Sequence, residues 1–276
     1  MNVLITGRNG FLAKELSENF SDFEITCVGR QEVDLTDSSS VESLFRYNKF
    51  DAVIHTAITG GRRGNTDTFQ TFVDNISMFN NLIANKHLFG KLINFCSGAA
   101  FGRGTDIYEY HEHRIYGHLP GDPYGMSKNI IARECWSLDD VYNLRLFGCF
   151  GFHEADSRFI KSSIIKSLNG EPIVVHKNKS MDFVSSEDVA TVVRHYLEND
   201  LGDDYNDINV CYKEKQTLRN IAAEIVSLTN SKSDILLEDS RFGCAYTGCS
   251  KKLDSLNLDL QGMKTGLENL TERLSE

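Results

Sequence analysis

Tyr124 and Lys128 stand four residues apart in Pro123-Tyr-Gly-Met-Ser-Lys128. If Pro123 opens a helix there, the two side chains share one helix face. An ammonium one turn from a phenol favours the phenolate and lowers the tyrosine pKa. Tyr124 then becomes an acid/base usable near neutral pH. A surface tyrosine lying over a lysine gives the same spacing, so the pair needs company. Ser97 supplies it, directly after the apolar run Lys91 to Cys96. If that run is a parallel strand, Ser97 sits at its carboxyl end, where doubly wound sheets bind ligands. Its hydroxyl would hold the oxygen that Tyr124 protonates; a turn-forming serine is the plainer alternative.

A second constellation lies at the amino terminus, in Ile5-Thr6-Gly7-Arg8-Asn9-Gly10-Phe11-Leu12-Ala13. Gly7 permits a tight turn, and Gly10 lets a pyrophosphate approach the backbone. Ala13 stands where a third glycine would pack helix against strand. The helix that follows offers N–H groups and a partial positive charge to phosphate. Gly7, Arg8, Asn9, Gly10, Phe11 and Leu12 are therefore candidate dinucleotide contacts. The second apolar run ends in Val28-Gly29-Arg30-Gln31. NAD binding usually places an acid there, whereas arginine suits a 2′-phosphate. Arg30 and Arg8 favour NADP(H), with NAD as the alternative. Asp34 and Leu35 are expected to line the adenine.

These residues need a scaffold that brings strand ends together. Short β-branched runs at Asn2–Thr6, Glu24–Val28, Asp51–Thr56, Lys91–Cys96 and Asn143–Phe147 alternate with helical patterns at Leu12–Phe20, Thr68–Leu88 and Tyr124–Leu138. Ser38-Ser39-Ser40 reads as the start of another helix. Alternation of this kind predicts an α/β fold, a doubly wound parallel (Rossmann) sheet. After about residue 150 the regularity weakens. Pro172–His176 and Asp207–Val210 read as strands, and Gln216–Thr229 as a helix capped by Thr217. The expected division is a Rossmann domain over 1–150, with returns at about 176–200. A small α/β substrate domain covers most of 151–276.

The 276 residues are 41% hydrophobic, enough for a sizeable core, and carry a formal charge of -10. That acidity argues against a nucleic-acid partner. Seven cysteines without metal-ligand spacing imply no metal and a reducing compartment. No signal peptide and no membrane span is read, so a cytoplasmic location is expected.

Several landmarks together carry a resemblance: Thr6-Gly7-x-x-Gly10-Phe11, Val53-Ile-His-Thr-Ala57, Asn75, Ser97, Tyr124-x-x-x-Lys128, Arg145-Leu-Phe-Gly-Cys-Phe-Gly151 and Asp182-Phe-Val-x-x-x-Asp188-Val189. In this order they resemble the extended short-chain dehydrogenase/reductase, or NAD-dependent epimerase/dehydratase, family along nearly the whole chain. The resemblance implies Ser97, Tyr124 and Lys128 as the catalytic triad. It puts Thr56, Ala57, Ile58 and Phe147 along the cofactor and Asn75 in the helix supporting the site. It implies a nucleotide-sugar substrate held by the C-terminal part, with Arg158, Lys161, Arg241 and Tyr246 as candidates. It also implies a homodimer through the helices near Asn75 and Tyr124, with Ile130, Ile131 and Trp136 as contributors.

The short segment between Arg30 and Asp51, and the loop Thr59-Gly60-Gly61-Arg62, look like the reductase branches, GDP-fucose synthase and dTDP-4-dehydrorhamnose reductase. These use NADPH to reduce a 4-keto-6-deoxy sugar. Gly98-Ala99 replaces the Asp-Glu pair of the dehydratases. Three departures stand out. Arg158 aligns where epimerising relatives carry a histidine, and arginine is a poor general acid. Gly148 replaces an asparagine that contacts substrate. Cys96 and Phe101 replace a serine and a tyrosine, and Phe101 is expected only to pack. The expected function is an NADPH-dependent reductase, with or without epimerisation, of a 4-keto nucleotide-sugar. A redox-neutral 4-epimerase holding NAD and a non-catalytic NADP-binding protein are the alternatives.

Overall fold

A computed structural model describes residues 1–61 and 66–276. In chain order the elements are β1 (Asn2–Thr6), α1 (Phe11–Asn19), β2 (Glu24–Val28), α2 (Ser38–Tyr47), β3 (Phe50–His55), α3 (Phe69–Ala84) and β4 (Phe89–Ser97). Next come β5 (Ile107–Tyr110), α4 (Pro123–Cys135), β6 (Val141–Leu146), β7 (Cys149–Phe150), α5 (Phe159–Leu168), β8 (Ile173–Lys177), β9 (Val184–Ser185) and α6 (Ser186–Glu198). The chain ends with β10 (Asp207–Val210), α7 (Leu218–Leu228), β11 (Ile235–Asp239), β12 (Tyr246–Gly248), α8 (Lys251–Ser255) and α9 (Gly262–Ser275).

Six strands form one parallel sheet in the order β10-β6-β4-β3-β1-β2. This is the Rossmann-like architecture expected. The chain leaves β1 in one direction to make β2 and in the other to make β3, so the switch point lies between β1 and β3. In doubly wound sheets that point, at the strands' carboxyl ends, is where ligands bind. Val3, Leu4 and Ile5 of β1 and Val53 and Ile54 of β3 are fully buried, as strands covered on both faces require. On one face Val41 and Phe45 of α2 and Phe79 and Leu82 of α3 pack into a cluster with Leu4, Val53 and Leu92. Asp37 caps α2 by accepting from Ser39 N, so the serine run does open a helix.

The chain groups into two compact units, 1–103 with 112–145 and 192–208, and 104–111 with 146–191 and 209–276. The Asp207–Val210 run was expected in the smaller domain; it is instead the outer strand of the main sheet. Its physical anchor is charge. Asp207 accepts both oxygens' worth of hydrogen bonds from Arg145 Nη2, at 2.8 Å each, and both side chains are fully buried. Asn143 Nδ2 also donates to Asp207 (2.5 Å), and Asn94 Nδ2 donates to Asn143 Oδ1 (2.7 Å). This polar ladder runs from β4 through β6 to β10, with the Arg145 guanidinium 4.5 Å from the Phe101 ring centroid. Phe101 is buried packing, as expected.

The second unit has its own core, in which Ile160, Ile164, Ile173, Val175, Ile221, Ile225 and Leu267 are buried together. Parallel pairs β8–β11, β5–β12 and β7–β9 brace it. Thr217 caps α7 through Asn220 N, as its position in the sequence predicts. Among the described residues no helix is long and apolar enough to cross a membrane, and no His/Cys/Asp/Glu group could hold a metal ion.

Candidate active site

The turn after β1 is built from backbone. Gly7 has φ +80°, and a Cβ there would lie 2.9 Å from both N and Cα of Ala57. Only glycine lets the loops after β1 and β3 meet this closely. Thr6 Oγ1 accepts from Ala57 N (3.2 Å), and Thr56 Oγ1 donates to Thr6 O (2.6 Å). Gly10 N donates to Gly7 O (2.7 Å). Gly10 is the N-cap of α1, with no side-chain cap and no acid in the first turn. First-turn N–H groups are therefore available to an incoming oxyanion. The glycine turn and the uncapped helix fit the pyrophosphate of a dinucleotide. Asn9 and Ile58 are exposed beside this turn, and Phe11 and Leu12 are half-buried.

At the end of β2 the structure adds a residue that the sequence reading overlooked. Glu32 accepts from Gly29 N (2.8 Å) and from Arg8 Nη1 (2.6 Å). Arg8 also donates to Cys27 O through Nε (2.9 Å) and Nη2. Arg30 is largely exposed, 3.5 Å from Asp34. The Asp34 carboxylate closes a local turn, accepting from Thr36 N (3.0 Å) and Oγ1 (2.7 Å). Those hydrogen bonds, with Arg30 adding less, hold its pKa below the ordinary value. Leu35 is buried in the core cluster with Val33 and Val41, where its side chain packs.

Two contacts hold α4 against the turn Gly98–Phe101 that follows β4, and a third caps the helix itself. A Cβ on Gly125 would lie 2.6 Å from Ala99 O, so the helix rests on that turn's backbone. Asn129 Nδ2 donates to Ala100 O (2.8 Å). Asp122 caps the helix through Gly125 N (2.8 Å). Ser97 Oγ accepts from Ala99 N (3.2 Å), so the candidate serine caps the same turn. One helical turn past Tyr124, the buried Lys128 Nζ donates to Phe95 O (2.7 Å), two residues before Ser97. Burial lowers its pKa from the usual lysine value. Beneath it His55 is buried, with Nδ1 2.9 Å from Thr6 Oγ1. Burial first, and the Lys128 charge second, push the His55 pKa down to about 3.

Asn75 ties this helix to the loop after β3. Its Nδ2 donates to Ser127 Oγ (3.1 Å) and Thr59 O (3.0 Å), and its Oδ1 accepts from Thr59 N (2.9 Å). Ser127 Oγ donates to Tyr124 O (2.8 Å). Tyr124 is buried, and its ring packs on Gly61, where a Cβ would come 2.6 Å from Cε2. Arg103, unremarked in the sequence, places its guanidinium 4.7 Å from the Tyr124 ring centroid. Arg62 of the loop Thr59-Gly60-Gly61-Arg62 lies outside the described residues.

The second unit holds the remaining candidates. Gly148 is forced by packing, because a Cβ would lie 2.7 Å from Asp182 O and from Phe183 Cδ1. The asparagine of relatives has no room here, and Gly148 offers only backbone. Phe147 is buried with its ring edge-on to Tyr246, centroids 5.4 Å apart. The Lys179 ammonium lies 5.5 Å from the Tyr246 ring centroid. Lys161 Nζ donates to Phe152 O (2.7 Å) and Glu154 O (3.0 Å) and pairs with Asp156 Oδ1 (2.9 Å). In this structure its donors hold its own loop. Arg158 is half-exposed at the N-cap of α5, 3.6 Å from Glu154. Arg241 is exposed and grips Asp239, whose pKa falls to about 2, chiefly through that hydrogen bond.

A Rossmann sheet with a glycine turn at its switch point, and on α4 a buried lysine that is bonded to β4 one turn from a tyrosine, defines a dinucleotide-binding type of protein. The chain belongs to the NAD dependent epimerase/dehydratase family, whose profile matches residues 3–211. No curated protein matches its sequence. Among solved structures it is similar to a GDP-mannoheptose C4 reductase from Campylobacter jejuni with NADP bound. Identity is 19%, coverage 100% of this chain and 98% of that one, and the TM-score 0.83. A GDP-L-fucose synthetase from Naegleria fowleri bound to NADP matches at 18% identity, over 98% and 91%, with TM-score 0.81. A dTDP-4-dehydrorhamnose reductase ortholog from Clostridium acetobutylicum matches at 18% identity, over 100% of both chains, with TM-score 0.80. These likenesses establish the fold.

Proposed function

We propose that this protein is an NADPH-dependent reductase of a 4-keto nucleotide-sugar. The observation that carries the reading is the buried Lys128 ammonium, bonded to β4 two residues before Ser97 and one helical turn from Tyr124. A bound nicotinamide supplies the hydride. The chain's own residues do the rest. The Tyr124 hydroxyl donates a proton to the ketone oxygen as it gains charge, and Ser97 Oγ orients that oxygen. Lys128 favours the phenolate left behind and holds the nicotinamide ribose. Gly7, Gly10 and the first turn of α1 seat the pyrophosphate. Acid/base help of this kind contributes roughly 100- to 10,000-fold, and positioning the ketone contributes much of the remainder. Support for the nucleotide-sugar comes from family membership and from the substrates named for the similar structures.

One observation favours a second reading. Glu32 stands at the end of β2, where an acid suits the ribose hydroxyls of NAD, and it holds Arg8. A redox-neutral 4-epimerase with resident NAD accommodates that acid better. The test is to identify the dinucleotide that co-purifies, then follow absorbance at the nicotinamide band with 4-keto sugars linked to GDP, dTDP and UDP. NADPH oxidation with any of them is expected. NAD in the purified protein, with sugar interconversion and no net oxidation, would replace the reductase by the epimerase.

A further inference from the structure

We propose that Arg103 is a positioning residue for Tyr124, a second cation that holds the phenol ring and favours its ionised form. The inference rests on Tyr124 acting as the acid/base, and it concerns a residue outside the family's triad. Arg103 lies just past the turn that Ser97 caps, following Gly102, whose φ of +102° swings the chain. Its guanidinium is 4.7 Å from the Tyr124 ring centroid, a cation–π distance. The position is built. Arg103 Nη1 donates to Asp67 Oδ2 (3.3 Å), and the Asp67 side chain is only 6% exposed. The other oxygen, Asp67 Oδ1, accepts from Gly61 N (2.8 Å). Gly61 is the residue whose backbone packs on the same ring. One carboxylate therefore fixes two of the groups that touch Tyr124. A cation resting on exposed surface would have no such anchor.

Other charges lie close by: Lys128 is one turn from Tyr124 on α4, while Asp67, before α3, and Asp122, the cap of α4, lie 3.3 Å and 4.0 Å from Arg103 Nη1. The two carboxylates offset part of the cationic field, and Arg103 is itself 39% exposed, so its effect is smaller than that of a fully buried charge. The sign is fixed nonetheless. Removing a cation from beside a phenol disfavours phenolate and raises the pH at which the phenol ionises. In the reducing direction the variant stays protonated to higher pH. In the oxidising direction it needs more alkaline solution to act as a base.

The titration of Tyr124 tests this without any substrate. Protein labelled with 13Cζ-tyrosine is followed by NMR, and the Tyr124 line is assigned by its loss in Tyr124→Phe. Arg103→Met and Arg103→Gln remove the charge by different side chains, and Arg103→Lys keeps it. Both neutral variants are expected to ionise at a pH higher by about half a unit or more, and the lysine variant to return toward wild type. Coincident midpoints in the wild type and both neutral variants would overturn the proposal. So would a lysine variant that titrates with the neutral ones. Because the readout is the free protein's own phenol, it is independent of whether any sugar is turned over.

Discussion

At the level of single residues the proposed reaction turns on Tyr124, and the proposed choice of cofactor on Glu32. Replacing Tyr124 by Phe removes one hydroxyl and leaves the ring against Gly61 and Arg103. Turnover is expected to fall by roughly 100- to 10,000-fold, while nicotinamide binding, read by fluorescence, stays close to wild type. Glu32→Gln removes a negative charge from beside Arg8 and Gly29. A 2′-phosphate placed there would no longer meet a like charge. NADPH is then expected to bind several-fold to about tenfold more tightly relative to NADH. Equal Kd ratios in the two proteins would remove Glu32 from cofactor choice. Tyr124 and Lys128 were legible in the sequence because a helix fixes which residues share a face. Glu32, Asp67 and Arg103 were not. Each meets its partner through a loop whose path depends on the folded sheet, and no spacing rule reports it.

At the scale of elements, the turn between β1 and α1 carries the most constraint. Gly7→Ala puts a Cβ 2.9 Å from the Ala57 backbone at a φ of +80°. The cost is about 1–3 kcal/mol of strain, and relief requires the β1 and β3 loops to separate. A lower Tm, together with cofactor affinity lost beyond what the Tm change explains, is the expected result. The five early strands were readable as β-branched runs; in β1, β3, β4 and β6 burial on both faces makes them largely apolar, whereas the edge strand β2 is apolar only in part. β10 was readable as a strand and misplaced in the fold. Asp-Ile-Asn-Val says nothing about its neighbour until Asp207 is seen to answer Arg145. The second unit's short strands, such as β7 and β9 with two residues each, carry too little pattern to be seen in advance.

For the whole molecule, buried charge sets the response to mutation and to acid. Asp207→Ala leaves the Arg145 guanidinium in a fully buried site without its carboxylate. Breaking such a pair costs about 3–5 kcal/mol, and urea melts at pH 7 should show it. His55 governs part of the acid limb. Its folded pKa of about 3 lies below the ordinary histidine value of 6.5. The stabilisation is therefore full above 6.5 and is lost as pH falls toward 3. About 2 kcal/mol should be gone by pH 5. A His55→Gln variant, which cannot take up the proton, should show a flatter stability profile over that range.

The ladder from Asn94 to Asp207 also orders events at the ribosome. Asn94, Asn143 and Arg145 emerge early, yet the carboxylate that completes their network is encoded some way downstream. Until that stretch is translated, the nascent sheet has a guanidinium it cannot bury, and its far edge stays open. A stalled chain ending before residue 207 should remain sensitive to protease along β6. One extended past α7 should not.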